Sequence, residues 1–188
     1  MRLYRFLVIL SGLLVQGSPV WASPAQILII RHAEKPFQGN ELNAKGLQRA
    51  QALVQFFTSR PSVTEHGAPI AIFAAAPGSS GGSIRSMQTV QPLADHLGMK
   101  LHTYTKSQTQ EMVNLILSSP QFDGKTVLIC FSHGNIAEIA QMAGAVSAPR
   151  SWDGAVFDRV WKVDLNVTGQ VTRFQDIPEN VLPGDSQT

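Results

Sequence analysis

Cysteine is nearly absent from this chain: its 188 residues include one, Cys130. A single cysteine excludes an internal disulfide, so the protein must depend on a packed hydrophobic core. Cys130 itself lies inside the apolar run at residues 127–131. That position favours a small buried side chain over a reactive thiol.

Long hydrophobic runs are also missing. The most apolar segment, residues 6–15, is shorter than the ~20 residues that a membrane-spanning helix needs. It follows Arg2 and Arg5 and precedes the small residues Val20 and Ala22, which is the pattern of a secretory signal peptide cleaved after Ala22. We therefore expect residues 1–22 to be a signal peptide and residues 23–188 a single domain. The mature protein is expected to be periplasmic or secreted, with no stable membrane association.

The mature chain has little excess charge of either sign. Subtracting Arg2 and Arg5 from the 15 basic residues leaves 13, against 13 acidic residues. No cluster of lysine and arginine remains that would favour a nucleic-acid partner. The chain also shows no His, Asp and Glu at metal-ligand spacing, so we expect no metal or other cofactor.

What the sequence does contain is an alternation of short apolar runs with helical patterns, beginning at residues 27–30. This alternation predicts a three-layer α/β sandwich with a mainly parallel sheet and helices on both faces. Asn43 is the predicted N-cap of the first helix. Further strands are predicted at 70–75, 101–104 and 126–131, and helical stripes at Leu47, Ala50, Val54 and Phe57, at 87–97, at 107–119 and at 136–143.

The C-terminal part changes period. Residues 160–165 alternate in polarity, residues 166–169 favour a turn, and residues 171–174 complete an antiparallel hairpin. The polar tail after Pro178 is expected to be loose.

Charged residues follow the predicted strands where each one ends. Arg31 and His32 end the first strand, Arg85 lies beyond the second, and His133 follows the fourth. Because the carboxyl ends of parallel strands share one edge of a sheet, these side chains should converge there. A pocket with two arginines and two histidines requires an anion, and the planar guanidinium matches phosphate oxygens.

Four stretches in order resemble the motifs of the histidine phosphatase superfamily, the phosphoglycerate-mutase-like proteins. Arg-His-Ala-Glu at 31–34 is similar to its Arg-His-Gly signature, with Ala33 in place of the glycine. Residues 42–50, Leu-Asn-Ala-Lys-Gly-Leu-Gln-Arg-Ala, resemble its first helix opening, and Ser-Ile-Arg-Ser-Met-Gln-Thr at 83–89 resembles its second-arginine motif. Ser-His-Gly at 132–134 resembles its second histidine motif.

This resemblance implies a metal-independent phosphatase. His32 would attack phosphorus and become a phosphohistidine, Arg31 and Arg85 would bind the phosphoryl oxygens, and His133 would complete the pocket. The proton donor for the leaving group is not specified by any motif. Glu111 lies in a suitable region, and Glu34 and Asp153 are rivals.

Three functions remain open from the sequence. The first is a phosphatase acting on a phosphorylated small molecule or a phosphoprotein. The second is a non-catalytic anion-binding protein of the same fold. The third is a phosphoglycerate-mutase-type phosphotransferase, which would need a covering segment to exclude water and which this compact chain has little room to build. The glycine- and serine-rich loop at 77–83 is either a phosphate-binding loop or a flexible linker.

Overall fold

A computed structural model describes residues 23–186, so the predicted signal peptide at 1–22 lies outside the described residues. Six strands form one sheet in the order β3-β2-β4-β1-β5-β6, of which the first four are mutually parallel. β5 runs antiparallel to β1, and β6 antiparallel to β5. The strands are β1 Gln26–Arg31, β2 Ala71–Ala75, β3 His102–Tyr104, β4 Thr126–Phe131, β5 Arg159–Leu165 and β6 Val171–Pro178.

Helices cover both faces of this sheet because the central strands are apolar on both sides. Leu28 and Ile30 of β1 face one hydrophobic cluster, which includes residues of α1 (Ala44–Ser59) and α2 (Arg85–Leu97). Ile27 and Ile29 face the other cluster, with residues of α3 (Thr109–Ser118) and α4 (His133–Met142). The predicted three-layer sandwich with a mainly parallel sheet and a C-terminal antiparallel pair is confirmed.

The start of the first helix is set by its N-cap and by a close backbone approach at Gly46. Its N-cap is Asn43, as predicted, whose side chain accepts a hydrogen bond from the backbone N–H of Gly46. A Cβ on Gly46 would lie 2.3 Å from the carbonyl oxygen of Glu34, so only glycine permits this approach of α1 to the end of β1. The predicted buried stripe was wrong at Leu47, which is 51% exposed; Leu53 takes its place in the core.

The C-terminal tail is not loose, which corrects the expectation from its polarity. Glu179 and Asp185 are both buried, and both form ion pairs with Arg49 of α1. A buried cation supplies the interaction that polar tail residues cannot obtain from water at this position. Hydrophobicity alone could not have shown this because the partner is 130 residues distant in sequence.

None of the helices formed within residues 23–186 has the length and apolar character to cross a bilayer.

Candidate active site

The carboxyl edge of the parallel strands carries the predicted residues. Arg31 is the last residue of β1, and His32 follows it with its backbone N–H donating to the carbonyl of Phe131 in β4 over 3.0 Å. His133 is the first residue of α4, two positions beyond Phe131. Arg85 is the first residue of α2. The sheet register therefore brings the ends of β1 and β4 side by side.

His32 is buried and oriented by its own backbone. Its Nδ1 lies 2.8 Å from the carbonyl oxygen of Ala33, to which it donates when that nitrogen carries the proton. The ring then presents Nε2 as an unprotonated nitrogen. Burial lowers the pKa of His32 to about 4, and the nearby charge of Arg31 acts in the same direction. The imidazole is consequently neutral at pH 7, which is the form that can act as a nucleophile.

Arg31 is held rigidly without a carboxylate partner. Its Nη1 donates to the carbonyls of Gly154 and Val156 at 2.7 and 2.9 Å, and its guanidinium lies 3.7 Å from the ring centroid of Phe157. Its buried Nε has no hydrogen-bond partner in the described structure. Burial lowers the pKa of Arg31 to about 10, so the group remains a cation at pH 7.

Arg85 contacts backbone oxygens in the loop before α1. Its Nε donates to the carbonyl of Glu41 over 3.1 Å, and its Nη2 donates to that of Gly39. Carbonyls are neutral, so these bonds orient the guanidinium without cancelling its charge.

His133 is exposed and close enough to His32 for its charge to lower the pKa of that imidazole. Partial burial lowers the pKa of His133, and Arg31 and Lys106 contribute in the same direction. A Cβ added to Gly154 would lie 3.5 Å from its Nε2, which shows how closely the loop before β5 approaches this ring.

A cavity of about 430 Å³ opens in front of His32. Its walls come from the ends of β1, β2, β3 and β4. Arg85 and Lys106 are its cationic members, and neither Arg31, His133 nor any carboxylate lines it among the residues that the structure describes. The loop at 77–83 forms one wall, where Gly81 N–H donates to the carbonyl of Gly78 in a tight turn. The loop is thus part of the cavity rather than a linker between elements.

Gln88 and Thr89, for which the sequence predicted no role beyond their place in the motif at 83–89, make hydrogen bonds near the site. Thr89 Oγ1 accepts from the backbone N–H of Ala33 and donates to the carbonyl of Arg85, both at 2.8 Å. Gln88 Oε1 accepts from the backbone N–H of Leu42 at 2.9 Å. Both fix the start of α2 against the segment that follows β1. Their fixed spacing from Arg85 in this motif is the sequence feature that could have identified them.

The three candidate proton donors differ in placement. Glu111 is exposed in the first turn of α3, accepts from Gln108 Nε2, and does not line the cavity. Glu34 faces the opposite direction, towards Arg49, whose ion pair outweighs burial and lowers the pKa of the carboxyl. Asp153 lies in the loop that contacts Arg31 and acts electrostatically on both Arg31 and His133. Glu34 also acts electrostatically on Arg31, and none of the three carboxylates lines the cavity among the described residues.

One group of metal-ligand type residues lies elsewhere. Glu65, His66 and Asp164 offer ligand atoms within 4.8 Å of one another, a proximity that sequence spacing did not indicate. Lys162 and Arg173 already bond the two carboxylates. These cations supply the compensating charge that a metal ion would otherwise provide.

Comparison with known proteins rests on structure. No family model matches the chain, and no curated protein matches it by sequence. A solved structure of the protein histidine phosphatase SixA complexed with tungstate matches with a TM-score of 0.52, covering 82% of this chain and 97% of that one at 12% identity. This chain therefore shares the fold of that solved structure.

A second solved structure, Mycobacterial hydrolase 2, has the same architecture. It matches with a TM-score of 0.51 at 11% identity and covers 87% of this chain and 92% of that one. The two matches cover 82% and 87% of this chain, so the shared fold includes most of the described residues. The family resemblance read from the four motifs is confirmed at the level of the fold.

Proposed function

We propose that this protein is a metal-independent phosphatase that works through a phosphohistidine on His32. The observation that carries the proposal is the orientation of His32: its Nδ1 is directed to the Ala33 carbonyl, and the ring borders a cavity with cationic and no acidic side chains among the described residues. A neutral imidazole with one free nitrogen beside two arginines is suited to attack on a phosphoryl group.

Each residue has a defined part in this reaction. Nε2 of His32 attacks phosphorus, the leaving oxygen departs, and water then attacks the phosphohistidine to release inorganic phosphate and regenerate the imidazole. Arg31 and Arg85 stabilise the negative charge on the phosphoryl oxygens, and His133 contributes a hydrogen bond from the opposite side. The buried Nε of Arg31, which has no hydrogen-bond partner among the described residues, is the donor that would bond such an oxygen.

The tungstate in the SixA structure supports this proposal because tungstate is an oxyanion of the phosphate type. SixA is a protein histidine phosphatase by its description, which makes a phosphoprotein one substrate class for the present chain. A phosphorylated small molecule is the other. No carboxylate lines the described walls of the cavity to protonate the leaving group. The cavity therefore suits substrates whose leaving group departs without strong acid assistance.

The proposal is tested by replacing the nucleophile. His32→Ala should abolish hydrolysis of p-nitrophenyl phosphate and remove the acid-labile phosphoenzyme that wild type forms on rapid quenching. His96→Ala is the matched control, since His96 is exposed on α2 outside the cavity. Unchanged turnover in His32→Ala would refute the assignment.

A non-catalytic anion-binding protein is the second candidate. The absence of a carboxylate among the described cavity walls favours it, because no proton donor is then provided to a poor leaving group. Tight phosphate binding by calorimetry, together with no phosphoenzyme at any pH, would establish this function instead.

Export of the protein is also a proposal, from the pattern of residues 1–22; sequencing of the mature N-terminus should give Ser23.

A further inference from the structure

The cavity extends well beyond the phosphate-binding residues. It runs along the sheet edge from His32 at β1 to residues 105–107 after β3, with the loop at 77–83 beside it. His32 and Arg85 are at one end, where the phosphoryl group is proposed to bind. About 430 Å³ is the size of a pocket that holds a small organic molecule, so most of it is left for the leaving group.

The distant end of the cavity has a distinct chemistry. Thr105, Lys106 and Ser107 line it there, whereas Ser83, whose Oγ lies 3.3 Å from the backbone nitrogen of Arg85, lines the phosphate end. No aromatic side chain and no carboxylate joins them among the described lining residues. These walls offer hydroxyl groups and one ammonium group, which suit oxygen-rich and anionic ligands rather than apolar ones.

Lys106 is an uncompensated cation at this end. It forms no ion pair with any carboxylate of the described residues, and its charge lowers the pKa of His133. Its backbone is fixed by a capping arrangement in which the hydroxyl and N–H of Thr105 both lie within hydrogen-bond distance of Gln108 Oε1, at 2.9 and 3.1 Å. The side chain is therefore anchored at its base and carries an unneutralised charge at its tip.

We propose that Lys106 selects substrates whose leaving group carries a second anionic group, so that the cavity takes a small doubly anionic phosphate ester. This inference rests on the proposed function, in which His32 and Arg85 bind the reacting phosphoryl group. The second anion then lies over β2 and pairs with the ammonium of Lys106, while the hydroxyl of Ser107 bonds one of its oxygens. A phosphorylated segment of another protein would be the competing occupant.

The test compares alkanediol bisphosphates of increasing chain length with alkyl monophosphates of the same length. Wild type should show a higher kcat/KM for at least one bisphosphate than for its monophosphate. Lys106→Met should lower that preference about fivefold, the size expected of a partly solvated ion pair. Lys106→Arg should retain the preference, and Lys100→Met, an exposed lysine outside the cavity, should not alter it.

Three results would overturn the inference. They are equal use of both compound classes by wild type, an equal fall for both classes in Lys106→Met, and faster hydrolysis of a phosphohistidine peptide than of every bisphosphate. If no compound is hydrolysed, the proposed catalysis has failed, and calorimetry decides the inference separately. Bisphosphates must then bind more tightly than monophosphates in wild type and lose that advantage in Lys106→Met.

Discussion

Arginine is used in two opposite ways within a short distance of the end of β1. At the carboxyl edge of the parallel strands, the described bonds of Arg31 and Arg85 all run to backbone carbonyls, and Lys106 has no acidic partner among the described residues. On the α1 side, the guanidinium of Arg49 is surrounded by three carboxylates at 2.7–3.0 Å. These carboxylates belong to Glu34, Glu179 and Asp185, and together with Arg49 they are called the Arg49 cluster.

This difference in hydrogen-bond partners distinguishes a cation that stabilises the fold from a cation that can bind a ligand. In the Arg49 cluster the donors are satisfied within the protein, which joins β1, α1 and the C-terminal tail. Carbonyls orient the cavity arginines and leave their positive charge in place, so an external anion gains the full interaction. Glu34 lies in the cluster although it is two residues from His32, because it points away from the cavity towards α1.

The largest expected effect comes from removing the cation of the Arg49 cluster. Arg49→Met would remove the cation that Glu34, Glu179 and Asp185 share inside the protein, which costs about 3–5 kcal/mol in the free energy of unfolding. Urea denaturation at pH 7 measures this loss, and Arg150→Met, at an exposed position, is the control. A loss below about 1 kcal/mol would show that the cluster is not structural.

Removing a cavity arginine should affect activity rather than stability. Arg85→Met is expected to lower kcat for an aryl phosphate about a hundredfold, the typical cost of one lost donor to transition-state charge. Its unfolding midpoint in urea should stay close to that of wild type because no carboxylate loses its partner. A large loss of stability with retained kcat would reverse the contrast between the two arginine environments.

The Arg49 cluster should respond to alkaline pH through Glu179. Burial raises the pKa of Glu179 to about 8, although Arg49 acts in the opposite direction, and the unfolded value is near its ordinary 4.5. The folded state therefore holds a proton that the unfolded state has released between these values, and stability falls as the pH rises from about 4.5 to about 8. Glu179→Gln, which mimics the protonated acid, should be more stable than wild type at pH 9 by on the order of 1 kcal/mol.

Wild-type and Glu179→Gln unfolding curves across this range measure the difference. Asp95→Asn on the exposed side of α2 serves as the control. Parallel curves for wild type and Glu179→Gln would contradict the role assigned to Glu179.

The smallest expected effect links the cavity arginines to His32. Because the pKa of His32 is lowered to about 4, kcat/KM should be constant above that value and fall only in more acidic solution, where the imidazole becomes protonated. Removing the cation in Arg85→Met should move the acid limb upward by a fraction of a pH unit, since Arg85 disfavours the imidazolium. The pH profile of kcat/KM measures this, and a downward shift would show that Arg85 does not act on His32 through its charge.

Local sequence specified much of the fold. The two-sided apolar run at 27–30 became the central β1, and Asn43 became the N-cap of α1 as its side-chain chemistry favours. Ile70 was wrong as a strand residue: it is 43% exposed, and β2 begins at Ala71. Such ends depend on the neighbouring strand, which a single apolar run does not describe.

The candidate site was also predictable only in part, and the rest depended on the tertiary structure. The order of Arg31, His32, Arg85 and His133 behind apolar runs predicted that they lie at one sheet edge. His32 and Arg85 line the cavity there, whereas Arg31 and His133 are not among its described lining residues. The placement of the acids was not predictable, because whether a carboxylate meets an arginine or the cavity depends on how helices and the tail pack. Glu34 and Glu111 illustrate this, since neither lines the cavity.

The sequence by itself determined the strand–helix alternation and the chemistry at the strand ends, because periodicity and residue type act locally. Only the tertiary structure decided which cations are neutralised: Arg49 by a tail more than a hundred residues away, and Lys106 by no carboxylate of the described chain. Electrostatic pairing depends on distance in space, and the packing of α1 against the end of β1 sets that distance.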